Sequence, residues 1–201
     1  MDPPRPPWHG LLADPPAGAH IILWSDHSPS CDAAVETFLR GGIERGDLCV
    51  VVLPAPDLDS LRDRLRGGDL DLDRLEAAGR AVATTPEHLG LRGPRDVDRI
   101  PGIAGDLRQL ARLCGRSGLT VLGRVAPPFF ESGRQQTAEA LEHALRDYAP
   151  DVRMLCAYQA GSVTPTRLQE AVTVIRCHTH AITALGGDQF FVEPVRHPVK
   201  A

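Results

Sequence analysis

From His20 onward, short, mostly apolar runs alternate with longer stretches in which apolar residues recur at helical spacing. His20 to Ser25 (HIILWS), Leu48 to Leu53 (LCVVVL), Ala81 to Thr84, Leu119 to Val125 and Val152 to Tyr158 (VRMLCAY) are runs of the first kind. Such runs suit strands buried on both faces. Asp32 to Arg45 places Ala34, Phe38, Leu39 and Ile43 on one helical face, with Ser30 or Asp32 as cap and Gly46 as stop. Further helices are expected from Asp57 through Leu58, Leu61 and Leu65, over Asp69 to Gly79, and over Asp106 to Gly115 with Leu107, Leu110 and Leu113 facing inward. Thr137 to Tyr148 and Pro165 to Ile175 complete the set, the latter capped by Thr164.

Thr85 to Gly105 and Ala126 to Gly133 (APPFFESG) are punctuated by glycine and proline and read as loops, the second with two exposed or lid-like phenylalanines. His178 to Leu185 and Phe190 to Val192 are expected as closing strands around a turn at Gly186–Gly187. Residues 1–18, rich in proline, read as a flexible tail that Trp8 would at most pin down, leaving 19–201 as a single domain. Buried strands alternating with helices predict an α/β fold, a mostly parallel sheet with helices on both faces. Ligands of such sheets sit beyond the carboxyl ends of the strands. Asp26, His27, Pro54, Thr84, Arg124 and Tyr158 fall there.

Composition narrows the function classes. The chain of 201 residues is 42% hydrophobic but only 4% aromatic, so its core must be mostly aliphatic. The formal charge of -4 and a single lysine, Lys200, argue against direct nucleic-acid binding, which needs a basic face. Five cysteines, Cys31, Cys49, Cys114, Cys156 and Cys177, form no CxxC pair, and reduced thiols in a cytoplasmic protein are expected. The first residues lack a secretory pattern, and no apolar run approaches the ~20 residues of a membrane helix.

The stretch from Ile21 to Val52 has the outline of a phosphate-binding unit: strand, loop, helix, strand. Its loop, Ser25-Asp26-His27-Ser28-Pro29-Ser30-Cys31, has neither glycine nor lysine. A phosphate loop needs glycines so that backbone N–H groups converge, and a lysine against the β/γ charge. Pro29 removes a donor and Asp26 adds a like charge. ATP hydrolysis is therefore not expected.

The phrase Phe38-Leu39-Arg40-Gly41-Gly42-Ile43-Glu44-Arg45-Gly46, followed by a strand, resembles the RecA/KaiC-type core. More closely, HIILWSDHSPSCDAAVETFLRGGIERGDLCVVV, LCAYQAGSVTPTRLQEAVTVIRCHTHAI and GGDQFFVEP resemble the MEDS domain, the DcmR-type sensory domain of methanogens and methylotrophs. Arg124 stands where an acidic residue is common in that family, and Thr179 where proline is. The resemblance implies a three-layer RecA-like fold with a degenerate phosphate loop. It also implies a non-catalytic sensory role, binding a small organic molecule and acting in signalling or transcription control. Signalling would run through a separate protein partner or a homo-oligomer.

The expected ligand site comprises Asp26, His27, Ser28, Ser30, Cys31, Arg124, Tyr158 and His178. Cys31, at a helix start, is a candidate reactive thiol. Cys49 and Cys156 read as core. Cys177-His178-Thr179-His180 has the look of a metal cluster, but no second ligand pair is evident, so neither metal nor cofactor is assigned. His178 is expected either hydrogen-bonded in the core or facing a pocket. Two other readings stay open: a protein–protein adaptor without ligand, and a degenerate nucleotide-binding, ATPase-like protein.

Overall fold

Among the described residues, seven strands form one sheet in the order β3-β2-β4-β5-β1-β6-β7. They are β1 (His20–Ser25), β2 (Leu48–Val52), β3 (Ala81–Thr84), β4 (Leu119–Gly123), β5 (Arg153–Gln159), β6 (His180–Ala184) and β7 (Phe190–Pro194). All neighbours pair parallel except β6 with β7. The structure is a computed structural model that describes residues 6–25, 29–148, 151–184 and 190–195.

Strand parity sorts the core into two layers. Ile21, Leu23, Val51, Leu53, Leu122 and Leu155 meet α1 (His9–Ala13), α2 (Pro29–Glu44) and α3 (Ala55–Leu65). Ile22, Trp24, Val50, Val52, Met154, Cys156 and Tyr158 meet the helices of the other face. Those are α5 (Ile100–Leu113), α6 (Pro127–Glu131), α7 (Gln135–Tyr148) and α8 (Leu168–Ile175). A short α4 (Leu72–Ala77) precedes β3, its first turn capped by the Asp71 carboxylate, which accepts from the Arg74 backbone N–H. This is the three-layer α/β arrangement that the alternation of runs implies.

Four expectations are corrected. Within the described part of the tail, residues 6–18, the chain is packed: Trp8 and Leu12 are buried, and α1 lies on α2. Gly41 permits it, since a Cβ there would stand 2.0 Å from the Ala13 carbonyl oxygen. Arg45 then donates to that carbonyl at 2.7 Å. The glycine-rich phrase at the end of α2 is thus a packing device at the amino end of the sheet. It is completed by the buried Asp47, which pairs with Arg45 and accepts from Thr120 at 2.8 Å.

The expected loop over Thr85–Gly105 ends early, because a 3-10 turn at Pro94–Arg99 runs into α5 at Ile100. Leu91 and Ile100 are buried, and their apolar contacts override Gly102 and Gly105. Leu107 and Leu110 pack inward as expected, but Leu113 is exposed. Finally, the phenylalanines of APPFFESG are no lid. Pro127 and Pro128 open α6, Phe130 is fully buried, and its ring meets Trp24 and Tyr158 edge-on. The hairpin turn expected at Gly186–Gly187 lies outside the described residues.

Candidate functional site

Two polar sites are built on opposite faces of the sheet. The first is a cleft of about 290 Å³ at the carboxyl ends of the strands, between α2 and α3. Its floor is Leu23, Leu53, Leu122 and Ala157, and its rim carries Cys31, Asp32, Asp57, Arg64 and Arg124. The side chains at 23, 53, 122 and 157 reach it by strand parity, facing α2 and α3. Both rim arginines are already matched: Arg64 meets Asp32 at 2.7 Å, and Arg124 meets Asp57 at 3.1 Å and Glu131 at 2.8 Å. Glu131 accepts both contacts from the same Arg124 nitrogen through its two oxygens.

The second site is sealed. Glu142, on the inward stripe of α7, is fully buried. Its Oε1 accepts from the Tyr158 hydroxyl at 2.6 Å. Its Oε2 lies 3.1 Å from His20 Nε2, 3.5 Å from His178 Nε2 and 3.6 Å from Cys156 Sγ. His20 Nε2 is also 3.2 Å from Cys156 Sγ, and the two imidazoles lie tilted at 41° with centroids 4.1 Å apart. His20 opens β1, Cys156 and Tyr158 share one face of β5, and His178 ends the turn after α8.

Burial alone would raise the Glu142 carboxyl, but His20 and the Tyr158 hydroxyl, both within hydrogen-bond reach of it, hold it below the usual carboxylate range. Burial, reinforced by the neighbouring His20, lowers the His178 imidazole to about 3, so it is neutral near pH 7. Burial and the Glu142 charge push the Cys156 thiol and the Tyr158 phenol well up. Cys156 also borders a small apolar cavity of about 70 Å³ under α5, lined by Leu91, Ile100, Ile103 and Val125 among others.

The eight expected ligand residues are therefore divided. Asp26, His27 and Ser28 lie outside the described residues, as does the side chain of Ser30, whose backbone is in the first turn of α2. Cys31 and Arg124 line the cleft. Tyr158 borders the cleft too, but its ring points to the opposite face. His178 is not in the cleft: it precedes β6 at the amino end of the sheet, where it joins Glu142. The Cys-His-Thr-His run does not act as one cluster either. Cys177 Sγ turns to the Thr173 carbonyl, and His180 Nδ1 meets the Thr179 hydroxyl.

Sequence reasoning missed His20 and Glu142. A signal existed for the second: Glu142 falls on the stripe Ala138, Leu141, Leu145, where a solvated glutamate has no place.

The mostly parallel sheet, with helices on both faces, has a RecA-like fold. The KaiC-like protein PH0186 from Pyrococcus horikoshii OT3 superposes with a TM-score of 0.55 at 13% identity, over 92% of this chain and 83% of that one. The flagellar accessory protein FlaH from Methanocaldococcus jannaschii gives a TM-score of 0.56 at 10% identity, over 98% and 87%. Within that fold, residues 19–179 match MEDS, the methanogen/methylotroph DcmR sensory domain, and the chain belongs to that family. No curated protein matches the chain. Among the described residues, no helix is long and apolar enough to cross a membrane.

Proposed function

We propose that this chain is a non-catalytic sensory domain that binds a small organic molecule in the strand-end cleft, with Cys31 and Arg124 at its rim. The observation that carries this reading is the internal neutralisation of the cleft. Arg64 and Arg124 are both held by carboxylates, so the rim offers no surplus positive charge to a polyphosphate. An apolar floor of Leu23, Leu53, Leu122 and Ala157 under a charge-balanced rim suits a neutral or zwitterionic organic molecule. Asp26 and Pro29, where a phosphate loop has glycines and a lysine, agree with this. Ligand binding that separates Arg124 from Asp57 or Glu131 would give two states with different rims, which a signal requires. A signalling or transcription-control protein would read the difference.

A thermal-shift screen of small organic compounds, run beside ATP–magnesium, tests the reading. A saturable shift is expected from a member of the organic panel, and it should vanish in Ser60→Trp, which fills the cleft from α3. Saturable ATP binding, or ATP turnover lost in Arg124→Ala, would favour the ATPase-like alternative. No shift with any compound would favour the adaptor.

A further inference from the structure

His20, Glu142, Cys156 and His178 offer one donor atom each, all within 4.8 Å of one another and all buried. The geometry points to a four-coordinate transition-metal centre of two imidazoles, one thiolate and one carboxylate, suited to Zn²⁺.

Donors held about 2.0–2.3 Å from a tetrahedral zinc ion stand roughly 3.3–3.6 Å from each other. Four donor separations here are 3.1, 3.2, 3.5 and 3.6 Å. The His178 tautomer points the same way. Its Nδ1 faces the Val174 carbonyl at 2.9 Å, and a carbonyl only accepts, so Nδ1 carries the proton. Nε2 is then the ring nitrogen left to present a lone pair. It is buried, has no hydrogen-bond partner among the described residues, and faces a carboxylate oxygen at 3.5 Å. Two acceptors set against each other out of water are costly, and a cation between them removes the conflict. An imidazole fixed by a backbone carbonyl through its other nitrogen is also how metal-ligating histidines are usually oriented. Tyr158 fixes the carboxylate in the same manner, by donating to the oxygen that faces away from the cluster.

Charge closes the account. Glu142 and a deprotonated Cys156 carry two negative charges, which a divalent ion cancels, leaving a neutral centre in a sealed apolar setting. Binding transfers the Cys156 proton to solvent. Thiolate and imidazole select zinc, cobalt or ferrous iron over magnesium or calcium. With four protein donors the centre is closed, hence structural or regulatory, and it would tie β1, β5, α7 and the start of β6 together. It lies outside the cleft and does not depend on the ligand reading.

The test is metal content and cobalt spectroscopy on full-length protein without a histidine tag, refolded with Zn²⁺ or Co²⁺. About one ion per chain is expected. The Co²⁺ form should show intense visible bands of a tetrahedral site and a near-ultraviolet sulfur-to-metal band. Cys156→Ser should abolish the near-ultraviolet band, while Cys177→Ser should keep it. Tyr158→Phe, which retains all four donors, should weaken binding by roughly 10–100-fold. Circular dichroism checks that each variant folds, and should Cys156→Ser not fold, the Cys177→Ser and Tyr158→Phe pair still decides. Metal well below one ion per chain in the unaltered protein would overturn the assignment. So would a sulfur band lost with Cys177→Ser, or affinity unchanged by Tyr158→Phe.

Discussion

At the carboxyl ends of the strands, Arg64 and Asp32 pair while 33% and 45% exposed. On the other face, Glu142 and His178 meet at 0% exposure. Arg64 and Asp32 can trade their ion pair for water or for a ligand at little cost, because exposed pairs contribute only about 0–1 kcal/mol, while Arg124 beside them is buried against Asp57 and Glu131. The sealed cluster has no such freedom, since removing one member leaves the others desolvated and unpaired. One sheet thus carries a face built for exchange and a face built for permanence, and variants at each should behave accordingly.

The largest effect is expected from Glu142→Ala. It strands the Tyr158 hydroxyl and two imidazoles in the core and should cost about 3–5 kcal/mol in denaturant unfolding. A loss below about 1 kcal/mol would mean that the cluster is less sealed than its burial indicates. Next comes Trp8→Ala, which tests whether α1 belongs to the core. Removing a buried aromatic side chain should cost about 3 kcal/mol, again by denaturant midpoint, where a free tail would register nothing.

Arg124→Ala should have a smaller effect on stability, roughly 1–2 kcal/mol, because Asp57 and Glu131 can rehydrate. It should nonetheless change which compounds shift the melting temperature. If its cost equalled that of Glu142→Ala, the contrast between the faces would fail. The smallest effect concerns Asp71. Backbone N–H groups of Gly67 and Arg74 hold its carboxyl below the usual range. Its contribution is therefore complete above the unfolded carboxyl pKa of about 3.9 and disappears as pH falls through the lower folded value. Asp71→Asn should lie below the unaltered protein in a melting-temperature series above that range and converge on it at lower pH, which flattens the acid limb.

The alternation of apolar runs and amphipathic stretches made the parallel sheet legible, because strands buried on both faces must be continuously apolar. The phrase around Gly41 was legible as a family mark. Its cause, the approach of Ala13, was not, since α1 is a five-residue helix inside a proline-rich stretch with no periodicity to read. Phe129 and Phe130 misled for a related reason. Proline and serine around them signal a loop, while the burial that makes them core comes from Trp24 and Tyr158, distant in sequence. The strand-end rule pointed to Arg124 and the helix-start position to Cys31, and both line the cleft. The strand-end rule could not place His178, because a residue in the turn before a strand belongs to the other end of the sheet. Nor could spacing reveal the cluster: its members come from positions 20, 142, 156 and 178, and only chain topology gathers them.

The packing of α1 and β6 has a practical consequence for anyone dissecting this family. The sequence signature spans 19–179, yet Trp8 and Leu12 before it and Ile182 after it are interior residues. A fragment trimmed to the signature would bare the apolar flank of α2 and strip β1 of its β6 neighbour. Insolubility of such a fragment would say nothing against the domain. The unit of inheritance and the unit of folding have different borders here, and expression work should respect the wider one.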